Sequence, residues 1–187
     1  MTRTSHCTMQ SYCANNQRQI GLAFRVWAGD NNDKFPMELS QTNGGTREFT
    51  TGPNAFRHFQ IMSNELSIAK VLYCRTDPDP ARATATNFTF MSNSNLSYFV
   101  GADANQSQPK MILSGDRYFT NTPDSRTAIL GLTKSSQVNW ASDIHSQIGD
   151  IALADGSVQR IKIGKLQRFL KDSTTPTNRL QMPVLTP

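Results

Sequence analysis

Long hydrophobic runs are missing from this sequence. No stretch of about 18 apolar residues occurs, so no segment reads as a membrane-spanning helix. The opening residues are polar and hold no signal-peptide core. Charge is scarce as well: Asp, Glu, Lys and Arg make up 18 % of 187 residues and hydrophobic residues 37 %, so Asn, Gln, Ser and Thr fill much of the rest. A surface of uncharged polar side chains suits an extracytoplasmic protein better than a cytosolic enzyme. The length suits one domain carrying a tail.

The motifs of common chemistries are also missing. There is no G-x-S-x-G, phosphate loop, H-E-x-x-H or dinucleotide fingerprint. The histidines, His6, His58 and His145, stand at no metal-ligand spacing. None of the three cysteines, Cys7, Cys13 and Cys74, forms a C-x-x-C pair, which argues against zinc and thioredoxin-like sites. Three cysteines allow at most one intrachain disulfide. Cys13 and Cys74 are the better pair because each adjoins a segment that should be ordered, which leaves Cys7 over. Buried reduced thiols are the alternative.

What is present begins with a helix over 11–28, where Cys13, Ile20, Phe24 and Trp27 recur at helical spacing beside Ala23 and Ala28. Gly29-Asp30-Asn31-Asn32 should end it. Residues 33–52 read as loop, 53–66 as a second helix with Pro53 in its first turn, and 69–74 as an extended segment. Asp77-Pro78-Asp79-Pro80 marks a turn. From residue 87 the pattern changes to strands, at 95–101, 111–113, 128–132 and 138–141. The strongest local signal is Asp155-Gly156 between 151–154 and 157–161, a hairpin expected to turn through type I′ geometry. A last helix is expected over 163–171, then an irregular tail over 173–187 with three prolines, packed through Leu180, Met182 and Val184. Helix first and strands after gives the α+β class, with a domain over 1–172 and its sheet region over about 87–161.

Few residues invite chemistry. His145 with Asp150 and Asp155 could act in a metal-assisted hydrolase, although Asp155 is explained by its turn. Asp116 and Arg117, neighbours at a strand end, suit either a ligand or a loop anchor, and loop carboxylates there would suit calcium. Net charge is +5, and its densest cluster is Arg160, Lys162, Lys165, Arg168 and Lys171. Such a cluster serves nucleic acid, an anionic glycan or membrane surface, or simply a solvated helix face. Only Phe169 lies nearby, so the stacking platform of a single-strand binder is missing.

Several segments in order resemble a known group. Cys13-Ala14-Asn15-Asn16-Gln17-Arg18-Gln19-Ile20-Gly21 resembles the stretch that follows the membrane helix in prepilin-type proteins, with Trp27 in the place of their helix-end aromatic. Leu72-Tyr73-Cys74 with Asp77 resembles the second cysteine segment, although Arg75 replaces its usual proline. Ser97-Tyr98-Phe99-Val100-Gly101 and Leu113-Ser114-Gly115-Asp116-Arg117 also fit. His145, nine residues, then Asp155-Gly156 resembles the H-x9-DG signature. The resemblance, over about 13–159, is to the prepilin-type H-x9-DG group of type II secretion pseudopilins and type IV pilin-like proteins.

That resemblance implies a non-enzymatic structural subunit: a helix on a small antiparallel sheet with a C-terminal hairpin, at the periplasmic face of the inner membrane. It implies partners among other pseudopilin subunits and secretion-system assembly proteins, a Cys13–Cys74 disulfide, and a calcium site of the kind similar pseudopilins hold. His145, Asp155 and Gly156 would fix the sheet edge. The basic leader and the roughly twenty apolar residues that such proteins carry are not in this sequence, so any membrane contact would run through a helix it lacks.

Overall fold

The computed structural model of the chain describes residues 3–122, 127–141 and 148–185, with side chains from residue 11 onward. Helix α1 (Arg3–Gly29) starts earlier than its apolar spacing predicts. The polar residues before 11 include no Gly or Pro to stop it. Cys13, Ile20, Ala23, Phe24, Trp27 and Ala28 are buried along one face, as the spacing requires. At the far end the Asn31 amide donates to the Trp27 carbonyl at 2.7 Å. Asn32 and Asp33, both at φ 57°, turn the chain away.

Residues 34–97 wrap the helix in short turns. The expected single helix over 53–66 is two pieces, α2 (Phe56–Gln60) and α3 (Ser63–Leu66), with Pro53 outside both. Met62 leaves helical geometry (ψ 29°) just before Ser63 and Asn64, side chains that compete with the backbone for hydrogen bonds. The segment expected to be extended over 69–74 is a 3₁₀ turn at Ala69–Leu72, followed by an extended Tyr73.

Among the described residues one six-stranded sheet follows, antiparallel throughout. Its strands are β1 (Tyr98–Gly101), β2 (Ile112–Asp116), β4 (Ile129–Thr133), β6 (Ile148–Leu153), β7 (Val158–Lys162) and β8 (Thr177–Gln181). The order is β4-β8-β1-β2-β6-β7. A separate ribbon pairs β3 (Phe119–Thr120) with β5 (Asn139–Trp140). The last helix, α4, spans Leu166–Lys171.

Two expectations need correction. The tail over 173–187 is not irregular: β8 lies between β4 and β1, pairing Leu130 with Leu180 and Val100 with Gln181. Of its three prolines, Pro176 and Pro183 flank the strand without interrupting it, so the strand belongs to the domain. The β6–β7 turn is not type I′. Asp155 keeps a negative φ and only Gly156 is left-handed, at +85°. The Gly156 N–H donates to the Leu153 carbonyl at 2.9 Å and the Leu153 N–H to the Ser157 carbonyl at 2.9 Å. This is a three-residue loop ending in a left-handed glycine.

Alternation in the strands divides the core. One cluster lies under α1 and includes Phe24, Phe35, Phe59, Tyr98 and Val100. The other lies on the opposite face and includes Phe99, Trp140, Ile151, Leu153, Leu166 and Leu180.

Candidate functional site

Three polar or covalent contacts spaced along α1 help hold it to the rest of the chain. Cys13 is disulfide-bonded to Cys74, with their Cα atoms 5.9 Å apart, so the pair expected from the sequence is formed. One turn on, the Asn16 amide donates to the fully buried Tyr98 hydroxyl at 3.1 Å. Burial raises the Tyr98 phenol well above its ordinary value, and nearby Asp116 adds to that. Further along, the Arg25 guanidinium donates to the Asp155 carbonyl in the β6–β7 loop. The Asp155 carboxylate accepts the Ser157 N–H at 2.8 Å, the usual bond of a turn aspartate. The loop is also pinned from behind, since the Asp155 N–H donates to the Pro109 carbonyl at 3.0 Å. Asp155 and Gly156 therefore stand where the helix, the edge hairpin and the loop before β2 meet. His145 lies outside the described residues.

Asp116 and Arg117 part company at the end of β2. The β2–β6 register ends at Gly115 opposite Ile151, and the next N–H, that of Asp150, donates to the buried Asp116 carboxylate at 2.7 Å. Asp116 is thus a backbone anchor. Asp150, equally buried, accepts from Arg160 Nε at 3.1 Å.

Arg117 turns the other way, into an ion network. Its Nε and Nη2 donate to both oxygens of Asp77, at 3.2 and 2.9 Å, and Nη2 also donates to Asp79 at 3.0 Å. The Tyr118 hydroxyl donates to Asp77, and its ring lies 4.0 Å from the Arg117 guanidinium carbon. Burial pushes the Asp77 carboxyl up, but the Arg117 guanidinium and the Tyr118 hydroxyl overcome that and hold it below the usual carboxylate range. Burial, with the bond to Asp77, raises the Tyr118 phenol. Arg82, 6 % exposed, donates to Asp79 at 3.1 Å and to the carbonyls of Asn93, Leu96 and Pro183 at 2.6–2.7 Å. Asp79, Arg82 and Tyr118 were not singled out in the sequence. Partners some 40 positions apart carry no local pattern, and only the Asp77-x-Asp79 turn hinted at them.

Among the described residues the other candidate groupings do not assemble. Asp150 sits inside β6 facing Arg160, whereas Asp155 lies beyond the strand in the loop. Among the described residues no three His, Cys, Asp or Glu side chains converge as metal ligands. The basic cluster is divided: Arg160 and Lys162 are on β7, Lys165 precedes α4, and only Arg168 and Lys171 are in that short helix. Arg160 is already engaged by Asp150, and α4 turns Leu166 and Leu170 into the core.

No family model, no curated protein and no solved structure matches this chain.

Proposed function

We propose that the chain is the extracytoplasmic part of a structural, non-enzymatic subunit of a pseudopilin-like filament, of the type II secretion or type IV pilus kind. One observation carries the reading: a single 27-residue helix, about 40 Å long, crosses an antiparallel sheet and is locked to it by the Cys13–Cys74 bond. A subunit that transmits force between a helix and a head needs such a lock, and a disulfide persists in an oxidising compartment. The pilin-like fold fits the same arrangement. Leu22 and Val26, one turn apart on α1, are 61 % and 48 % exposed. They supply an apolar strip for a neighbouring subunit. Partners are then other subunits and their assembly proteins.

The test is to cross-link intact cells that make the protein, shear them, and blot the released fraction. A ladder of multiples of the monomer is expected, weakened by a Leu22→Arg, Val26→Asp double variant that leaves the monomer folded. A chain found only as cytosolic monomer, with Cys13 and Cys74 reduced, would overturn the proposal.

A further inference from the structure

The ion network around Arg117 borders a cavity of about 380 Å³ that the structural role does not use. One wall carries Arg82, Arg117 and Asp79; the other is apolar, with Phe119, Leu130 and Met182. This volume is in the range of small-molecule pockets, and the lining sets polar groups against apolar ones in nearly equal measure.

The guanidinium of Arg117 is already oriented. Asp77 takes Nε and Nη2 as a fork, and Asp79 and Tyr118 hold Nη2 further. Its remaining amino group, Nη1, makes no hydrogen bond among the described residues. An arginine whose rotamer is fixed by other partners binds an anion with little further loss of freedom. Two guanidiniums and one carboxylate line the cavity, and Asp77, with no exposed side-chain surface, lies behind them, so the four charges balance and the selectivity rests on Nη1 as an unused donor.

Asp79 already bridges Arg82 and Arg117 and accepts the Ala81 N–H, and every Arg82 nitrogen has a partner, so Arg117 Nη1 is the donor left for a ligand carboxylate.

We propose that this cavity, between the Asp77–Arg117 fork and the 182–185 segment, binds a small carboxylate bearing an apolar tail, with Arg117 Nη1 as the anchor. The proposal does not depend on the filament reading.

Titration of the ¹⁵N-labelled protein with hexanoate, and separately with its neutral isostere hexanamide, tests it. Hexanoate should shift the amides of Phe119, Leu130 and Met182 and bind roughly tenfold or more tighter than hexanamide, the margin of a charged hydrogen bond. Arg117→Gln should remove that margin. Because this variant also breaks the Asp77 fork, Met182→Trp, which fills the cavity from a half-buried position, serves as the second test. It should abolish hexanoate binding while leaving the rest of the spectrum in place. Equal binding of the two probes, no shift at those amides, or unchanged hexanoate binding by Met182→Trp would each overturn the assignment.

Discussion

The face of the sheet under α1 and the face turned away from it are filled by different means. Under α1 the sheet gives Tyr98, Val100 and Leu113 from β1 and β2 but only small residues, Ala152 and Ala154, from the β6 hairpin, and much of the bulk comes from outside the sheet. Phe24 of α1 meets Phe35 and Phe59, edge to face, at 5.8 and 6.0 Å. On the far face the bulk is in the strands themselves, Phe99, Ile151, Leu153 and Leu180, with Trp140 stacked on Phe119 at 4.8 Å. One face is closed by a long element that must be tied down. The other is closed by short elements that interdigitate. Each face holds one tryptophan, Trp27 and Trp140, so single-tryptophan variants report on the two separately.

The largest expected effect is on the tied face. Removing the Cys13–Cys74 bond, which closes 61 residues, should cost about 4 kcal/mol in the chain-entropy account. In a Cys13→Ala, Cys74→Ala variant the urea transitions seen by Trp27 and by Trp140 should move down together, because both faces share one sheet. A shift seen by Trp27 alone would make the α1 face a separate unfolding unit.

Acid should act next, through a second tie. His58, fully buried, lies between Thr46 Oγ1 and Gln181 Oε1, each at 2.6 Å. The Gln181 amide nitrogen donates to the Phe49 and Gly52 carbonyls, so its oxygen accepts from His58 Nε2–H and Thr46 donates to Nδ1. The loop under α1 is thereby fastened to β8. Burial lowers the imidazole from 6.5 to about 4, against the pull of Gln181. A lowered histidine gives its full contribution above the unfolded value and loses it as pH falls toward the folded one. Stability should thus drop by about 3 kcal/mol between pH 6.5 and 4. Denaturant midpoints across that window, with the His58 ring shifts followed by NMR, check it. A ring that titrates near 6.5 without loss of stability would mean the tie is open in solution.

The same contrast explains what could be read from the sequence. Helix α1 was legible because Cys13, Ile20, Phe24 and Trp27 repeat at one period, and the disulfide because few cysteines leave few choices. The β6–β7 hairpin was legible through Asp155-Gly156, though its turn type was not, since a left-handed Gly156 alone satisfies a three-residue loop. Strand β8 was hidden. Thr177–Gln181 carries one apolar residue, Leu180, and its buried Gln181 is set by His58, 123 positions away. The Asp77–Arg117 network was hidden for the same reason: an ion pair between distant positions leaves no periodicity in either segment.

The smallest expected effects come from one substitution made on both faces, glycine to alanine. At Gly149 the new Cβ would lie 2.3 Å from the Trp140 ring, which is fully buried and stacked on Phe119. Neither the strand nor the ring can yield cheaply, so Gly149→Ala should cost about 2 kcal/mol as overpacking and should shift Trp140 emission while leaving Trp27 unchanged. At Gly21 the nearest atoms are Gly156 Cα at 3.6 Å and Ala152 Cβ at 3.8 Å, ordinary contact distances. Gly21→Ala adds a methyl in a helix interior, where alanine is favoured by up to about 1 kcal/mol. Opposite signs at the two positions, read as urea midpoints, are what a loosely seated helix face and an interlocked far face require. A loss at Gly21 comparable to that at Gly149 would mean that α1 sits on the hairpin as tightly as Trp140 sits on β6.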